Sequence, residues 1–170
     1  MAFSFSQRDF DKIYVLYQHL VNTAHLYNQM TPTQLNCVAR IIGNSVHDLT
    51  KIWSGYISST ALRSLIEDNS TYITHDHYLS RLQSGKNIVK RFSEGIIPFD
   101  VFINIMFEAC YVHKITKDEN NKIIQLQNSG MSWQRCYISA GIDLIFLGDE
   151  EGKLPKRLTK SYAMRFGSLC

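Results

Sequence analysis

From Asp9 to Tyr27 the apolar side chains Phe10, Ile13, Tyr14, Tyr17, Leu20, Val21 and Ala24 return at steps of three and four residues, the stripe of an amphipathic helix. The four residues Thr31-Pro32-Thr33-Gln34 then supply a capping threonine, a proline suited to the first helical position and a glutamine able to close a capping box. A second stripe, Leu35, Val38, Ala39, Ile42, Val46, Leu49, Ile52 and Trp53, predicts a long helix after that cap. With 170 residues, 45% of them hydrophobic, the chain can bury one real core and is short for two, so a single compact domain is expected.

Thr60 to Glu67 reads as a short helix ended by the turn-forming Asp68-Asn69-Ser70, and the β-branched and aromatic Thr71-Tyr72-Ile73-Thr74 reads as a strand. Leu82 to Phe92 is helical in pattern. So is a segment opened by Pro98, whose buried face would be Phe99, Phe102, Ile103, Met106 and Cys110. Tyr111 to Ile115 predicts a second brief strand, and Thr116-Lys117-Asp118-Glu119 is a capping box opening a helix through Ile123 and Ile124. Ser132 to Ala140 makes a further helix with Gly141 as its C-cap, and Ile142 to Leu147 is a strand or a buried extended segment. The fold class is mainly α with a small β element (α+β). Residues 1–152 form a helical domain, and residues 153–170 form a basic tail packed on it or extending from it.

Charge decides little: 19% of residues are charged and the net charge is +3, which permits an anionic partner without demanding one. Cys37, Cys110, Cys136 and Cys170 are widely separated and form no CxxC pair, which points to buried thiols in a reducing cytosol rather than a disulfide framework or zinc knuckle. No apolar run reaches bilayer length, and the first residues lack the basic start and apolar core of a signal peptide. The expectation is a soluble, cytoplasmic protein without a membrane partner.

The chemistry-bearing stretch is Thr74-His75-Asp76-His77-Tyr78-Leu79-Ser80-Arg81, with two imidazoles, a carboxylate and a guanidinium within one short segment. Hydrolysis of a phosphodiester calls for these groups: a base for water, a hard oxygen ligand for a divalent cation and a cation for phosphate. If the segment is extended, His75 and His77 point to one side and Asp76 to the other; if it turns into the next helix, Asp76 is an N-cap. A second polar stretch, His113 to Lys122, again runs from a strand into a capped helix.

Asp76-His77 at a strand end, followed by His113 and by Asn120 or Asn121 entering a helix, resembles the HNH or His-Me finger endonucleases, particularly the small phage-encoded enzymes. The resemblance covers the middle third of the chain. It implies His77 as the water-activating base, Asp76 as a ligand of Mg²⁺ or Mn²⁺, and Asn120 or Asn121 as the helix-borne residue completing the metal site; in an endonuclease built this way Arg81 and His113 would orient phosphate. Two helical patterns separate the halves of the motif, and the CxxC pairs of zinc-stiffened versions are missing. A carboxylate variant would let Glu67, Asp68 and Asp76 share the metal.

Lys86, Lys90 and Arg91 could form a phosphate-binding surface or be the wet face of an amphipathic helix. Lys156, Arg157, Lys160 and Arg165 could track a DNA backbone or belong to an ordinary surface helix. Glu119 is most simply the capping partner of Thr116, and Trp53 and Trp133 read as core or interface. Two readings follow: a metal-dependent DNA endonuclease, or a non-enzymatic helical DNA-binding or adaptor protein of phage type. A twofold-symmetric target would call for a homodimer.

Overall fold

Local signals set each helix start. Ser6 accepts from the backbone N–H of Asp9 at 3.2 Å and caps α1 (Gln7–Tyr27). Thr31 accepts from the N–H of Gln34 at 3.3 Å while Gln34 accepts from the N–H of Thr31 at 2.8 Å, the expected reciprocal box, opening α2 (Pro32–His47). The computed structural model describes residues 5–68, 72–77, 79–128, 131–148, 153–155 and 158–170. It is mainly helical with one small sheet, the expected fold class. Its residues group into two compact units, each assembled from two separate stretches of chain.

The first unit, residues 1–52 and 79–111, combines α1 and α2 with α4 (Arg81–Glu94) and α5 (Phe99–Cys110). Its core takes Ile13 and Leu20 from α1, Ile42 and Val46 from α2, Ile88 and Phe92 from α4, and Phe102 and Met106 from α5. Tyr17 contacts Phe92, Phe99 and Phe102 with ring centroids 5.0 to 6.1 Å apart, and its hydroxyl donates to the carbonyl of Ile97 at 2.9 Å. The closest approach is between α2 and α4. A Cβ on Gly43 would lie 1.9 Å from the carbonyl oxygen of Arg81, and one on Gly85 would lie 1.8 Å from that of Ala39. Only glycine lets the two backbones meet there. Beside this seam Ser84 is buried, and its hydroxyl has no hydrogen-bond partner among the described residues.

The second unit, residues 53–78 and 112–170, is built on a sheet of order β2-β3-β1-β4, with β1 at Ile52–Ser58, β2 at Ile73–His77, β3 at Tyr111–Thr116 and β4 at Leu144–Phe146. Ile57 of β1 joins Ala61 and Leu62 of α3 (Ser59–Ile66), Leu147, and Ala163 of α8 (Lys160–Ala163) in one core. Ile115 of β3 joins Ile123 of α6 (Lys117–Asn128) and Cys136 and Tyr137 of α7 (Trp133–Ser139) in another. Residues 160–163 and the 3₁₀ turn Met164–Leu169 place the described part of the C-terminal segment in this packing; the Tyr162 hydroxyl donates to the carbonyl of Leu147 at 2.8 Å.

The expected capping box at Thr116 is present, and Glu119 does more than close it. Its Oε2 accepts from the Thr116 N–H at 2.8 Å, the Thr116 hydroxyl at 3.0 Å and the Ser58 hydroxyl at 2.7 Å, all buried. Glu119→Ala is expected to lower the unfolding free energy by about 2 to 3 kcal/mol, since it strands several buried donors at once. A urea titration checks this.

Three expectations are corrected. The second stripe overruns its helix: α2 stops at His47, and Ile52 and Trp53 belong to β1, a strand the helical period concealed. The strand expected at 71–74 runs instead from Ile73 to His77, so it carries the motif itself. Cys110 and Cys136 are buried free thiols, but Cys37 and Cys170 are exposed. Among the described residues no helix is long and apolar enough to cross a membrane.

Candidate functional site

The antiparallel pairing of β2 with β3 sets Asp76 directly opposite His113, His75 opposite Lys114 and His77 opposite Val112. Residues directly opposite in such a ladder share a face, and neighbours along a strand do not. Asp76 and His113 therefore lie side by side on one face, while His77, the residue next to Asp76 in sequence, lies on the other. The resemblance joined Asp76 to His77; the register joins it to His113.

Around this pair the structure assembles groups from two further elements. The Tyr137 hydroxyl of α7 donates to Asp76 Oδ2 at 2.6 Å. Ser54 Oγ of β1 is 2.7 Å from His113 Nδ1 and also accepts from the Tyr56 N–H at 3.3 Å, so the hydroxyl holds the ring in place from β1. The rings of Trp133, Tyr137 and Tyr56 stand 5.0, 5.4 and 5.5 Å from that of His113. Asp76 is only 5% exposed and His113 3%.

Burial controls the protonation of both. It pushes the Asp76 carboxyl up to about 6, against the lowering effect of hydrogen bonds from Tyr137 and Gln127. It pushes His113 down to about 4, so the imidazole is neutral at physiological pH and a weak proton acceptor there. The Tyr137 hydroxyl is raised by burial and by Asp76, and remains a donor.

The other expected site residues are distributed as follows. His77 is buried, and its carbonyl accepts from Gln127 Nε2 at 3.2 Å. Asn121 is exposed on α6 and Asn120 half-buried, while Glu119 and Ile123 fill the inward row of that helix. Arg81, Lys86, Lys90 and Arg91 lie on α4 of the first unit, and all four are exposed. Lys160 forms an exposed ion pair with Asp68, one of the carboxylates of the shared-metal variant. Lys156 and Arg157 lie outside the described residues.

For a divalent cation the pair offers a sparse donor set. Asp76 brings one carboxylate, with Oδ2 engaged by the Tyr137 hydroxyl and its proton held up to about pH 6, and the register places no second carboxylate opposite it. Among the described residues no three His, Cys, Asp or Glu side chains come together as ligands. What the cluster presents at neutral pH is a buried carboxylate held by Tyr137 beside a neutral imidazole held by Ser54.

Ser54, Tyr56 and Tyr137 were missed by sequence reasoning. The first two sit on β1, where Ser54, Tyr56 and Ser58 alternate with Trp53 and Ile57, a two-residue period that could have revealed the strand. No protein-family model, curated protein or solved structure matches the chain.

Proposed function

We propose that this protein binds DNA through its phosphate backbone, with α4 of the first unit as the docking face. One observation carries the reading: α4 presents Lys86, Lys90 and Arg91 on its exposed side, and the helix has one acid, Glu94, 3.8 Å from Lys90 in an exposed pair. Such a face supplies salt-dependent affinity without reading sequence, which suits a chain of modest net charge. An endonuclease reading would need a partner for Asp76 other than His77, since the two take opposite faces of β2.

Binding of a labelled duplex, followed by fluorescence anisotropy across a salt series, tests this. Lys86→Gln with Arg91→Gln is expected to flatten the slope of log affinity against log salt by about 2, near 0.9 for each phosphate that is no longer neutralised. An unchanged slope and affinity would remove α4 as the interface.

Hydrolysis keeps one specific observation in its favour, the Asp76–His113 pair. Supercoiled plasmid incubated with Mg²⁺ or Mn²⁺ separates the readings. Nicking by the wild type that disappears in His113→Gln would establish an enzyme; equal background from both leaves a binding protein.

A further inference from the structure

A cleft of about 450 Å³ opens in the first unit where the end of α1, the start of α2 and the middle of α4 meet. Its apolar wall includes Tyr27, Leu35 and Val89, and its rim carries Lys86, Lys90 and Asn36. The volume lies in the range that encloses a small organic ligand, about 300 to 1,000 Å³. Tyr27 is buried with its hydroxyl 2.8 Å from that of Thr23, and Asn28 Nδ2 donates to the carbonyl of Ser93 at 3.1 Å across the cleft edge.

The charge arrangement says what would fill it. Lys86 and Lys90 are one helical turn apart, where like charges repel, and among the described residues no carboxylate lines the cleft. Glu94 pairs with Lys90 alone among the described residues, and at an exposed 3.8 Å it screens little. A group bearing two negative charges satisfies both ammoniums at once, and a terminal phosphate monoester is such a group. The remainder of the ligand has to be apolar on its faces to lie against Leu35 and Val89. It must also be polar at its edge to meet the amide of Asn36, which combines a donor and an acceptor as nucleobase edges do. A phosphorylated alkyl chain would leave that amide without use.

We infer that this cleft is a nucleotide site taking a nucleoside monophosphate, its base against Leu35 and Val89, its edge at Asn36 and its phosphate on Lys86 and Lys90. The inference deepens the DNA-binding reading and rests on it for the role of α4. The nucleotide is either free or the phosphorylated end of a strand, since both present the same chemistry to the cleft.

The test uses the full chain and adenosine 5′-monophosphate, read by calorimetry, beside adenosine, inorganic phosphate and octyl phosphate. Adenosine 5′-monophosphate is expected to bind about tenfold or more tighter than each of the three, since each comparator lacks one recognition group worth that factor. Asn36→Trp fills the cleft from its rim and leaves all the cations in place. It is expected to abolish nucleotide binding while leaving duplex binding within about twofold. A 5′-phosphorylated oligonucleotide that binds far tighter than the mononucleotide assigns the site to strand ends; equal affinity assigns it to free nucleotide.

No binding of the mononucleotide, or equal binding by Asn36→Trp or by octyl phosphate, overturns the site. Duplex binding with no mononucleotide binding overturns the cleft alone. Mononucleotide binding with no duplex binding leaves the cleft standing and overturns the backbone interface.

Discussion

Gly85→Ala is expected to destabilise the protein by about 3 kcal/mol, the upper end for overpacking, and to lower its thermal midpoint by roughly 10 °C. The sign is what makes this informative. In an exposed helix the same change would gain about 1 kcal/mol, because alanine has less backbone freedom to lose. Here the new methyl would sit 1.8 Å from the carbonyl oxygen of Ala39, an atom fixed in the middle of α2, and no side-chain rotation relieves the overlap. Gly43→Ala meets the backbone of Arg81 in the same way and is expected to cost a similar amount. Ser84→Ala, immediately beside Gly85, is expected to gain about 1 kcal/mol by removing a buried hydroxyl without a partner among the described residues. Denaturant titrations of the three variants settle the point. A Gly85→Ala protein as stable as the wild type would mean that α2 and α4 can separate without cost.

The second large effect is expected in the pH dependence of stability, and it emerges only when one member of the Asp76–His113 pair is removed. Asp76 titrates near 6 when folded against an ordinary 3.8, so its contribution is present at low pH and lost as the pH rises through 6. His113 titrates near 4 against 6.5, so its contribution is present above 6.5 and lost as the pH falls through 4. Between these limits the two slopes oppose each other. At about pH 5 the folded pair keeps its one proton on Asp76 while the unfolded chain keeps it on His113, and equal proton counts give no slope. Asp76→Asn should therefore gain about 3 kcal/mol in stability from pH 4 to 6.5, and His113→Gln should lose about 3 kcal/mol from pH 4 to 6, with the wild type nearly flat. Parallel profiles for the three proteins would show that the two groups are not held as the fold describes.

What could be read from the sequence follows the range of the interactions involved. The stripe of α1 and the boxes at Thr31 and Thr116 depend on residues three and four apart, and all three are found in the structure. β1 was hidden because Ile52 and Trp53 continue the spacing of Leu49, so a helical period absorbed a strand. The site was less legible still. Asp76 and His77 adjoin in sequence and part company on the strand, whereas the true neighbour, His113, is specified only by the register of β2 against β3. Tyr137 and Ser54 reach the pair from elements whose placement no local pattern encodes. The α4 cations were visible as a run; that two of them edge a cleft depends on α1 and α2 closing against that helix.

Because each unit draws on two stretches of chain, vectorial synthesis cannot finish either one in order. A ribosome releases Ile52 to His77 after α1 and α2 have emerged but before α4 exists to meet them, and the next residues made belong again to the first unit. Asp76 is thus born onto an open strand edge and waits through the whole of α4 and α5 for its partner strand. β3 must therefore close a loop that holds the whole of α4 and α5 before the sheet is complete.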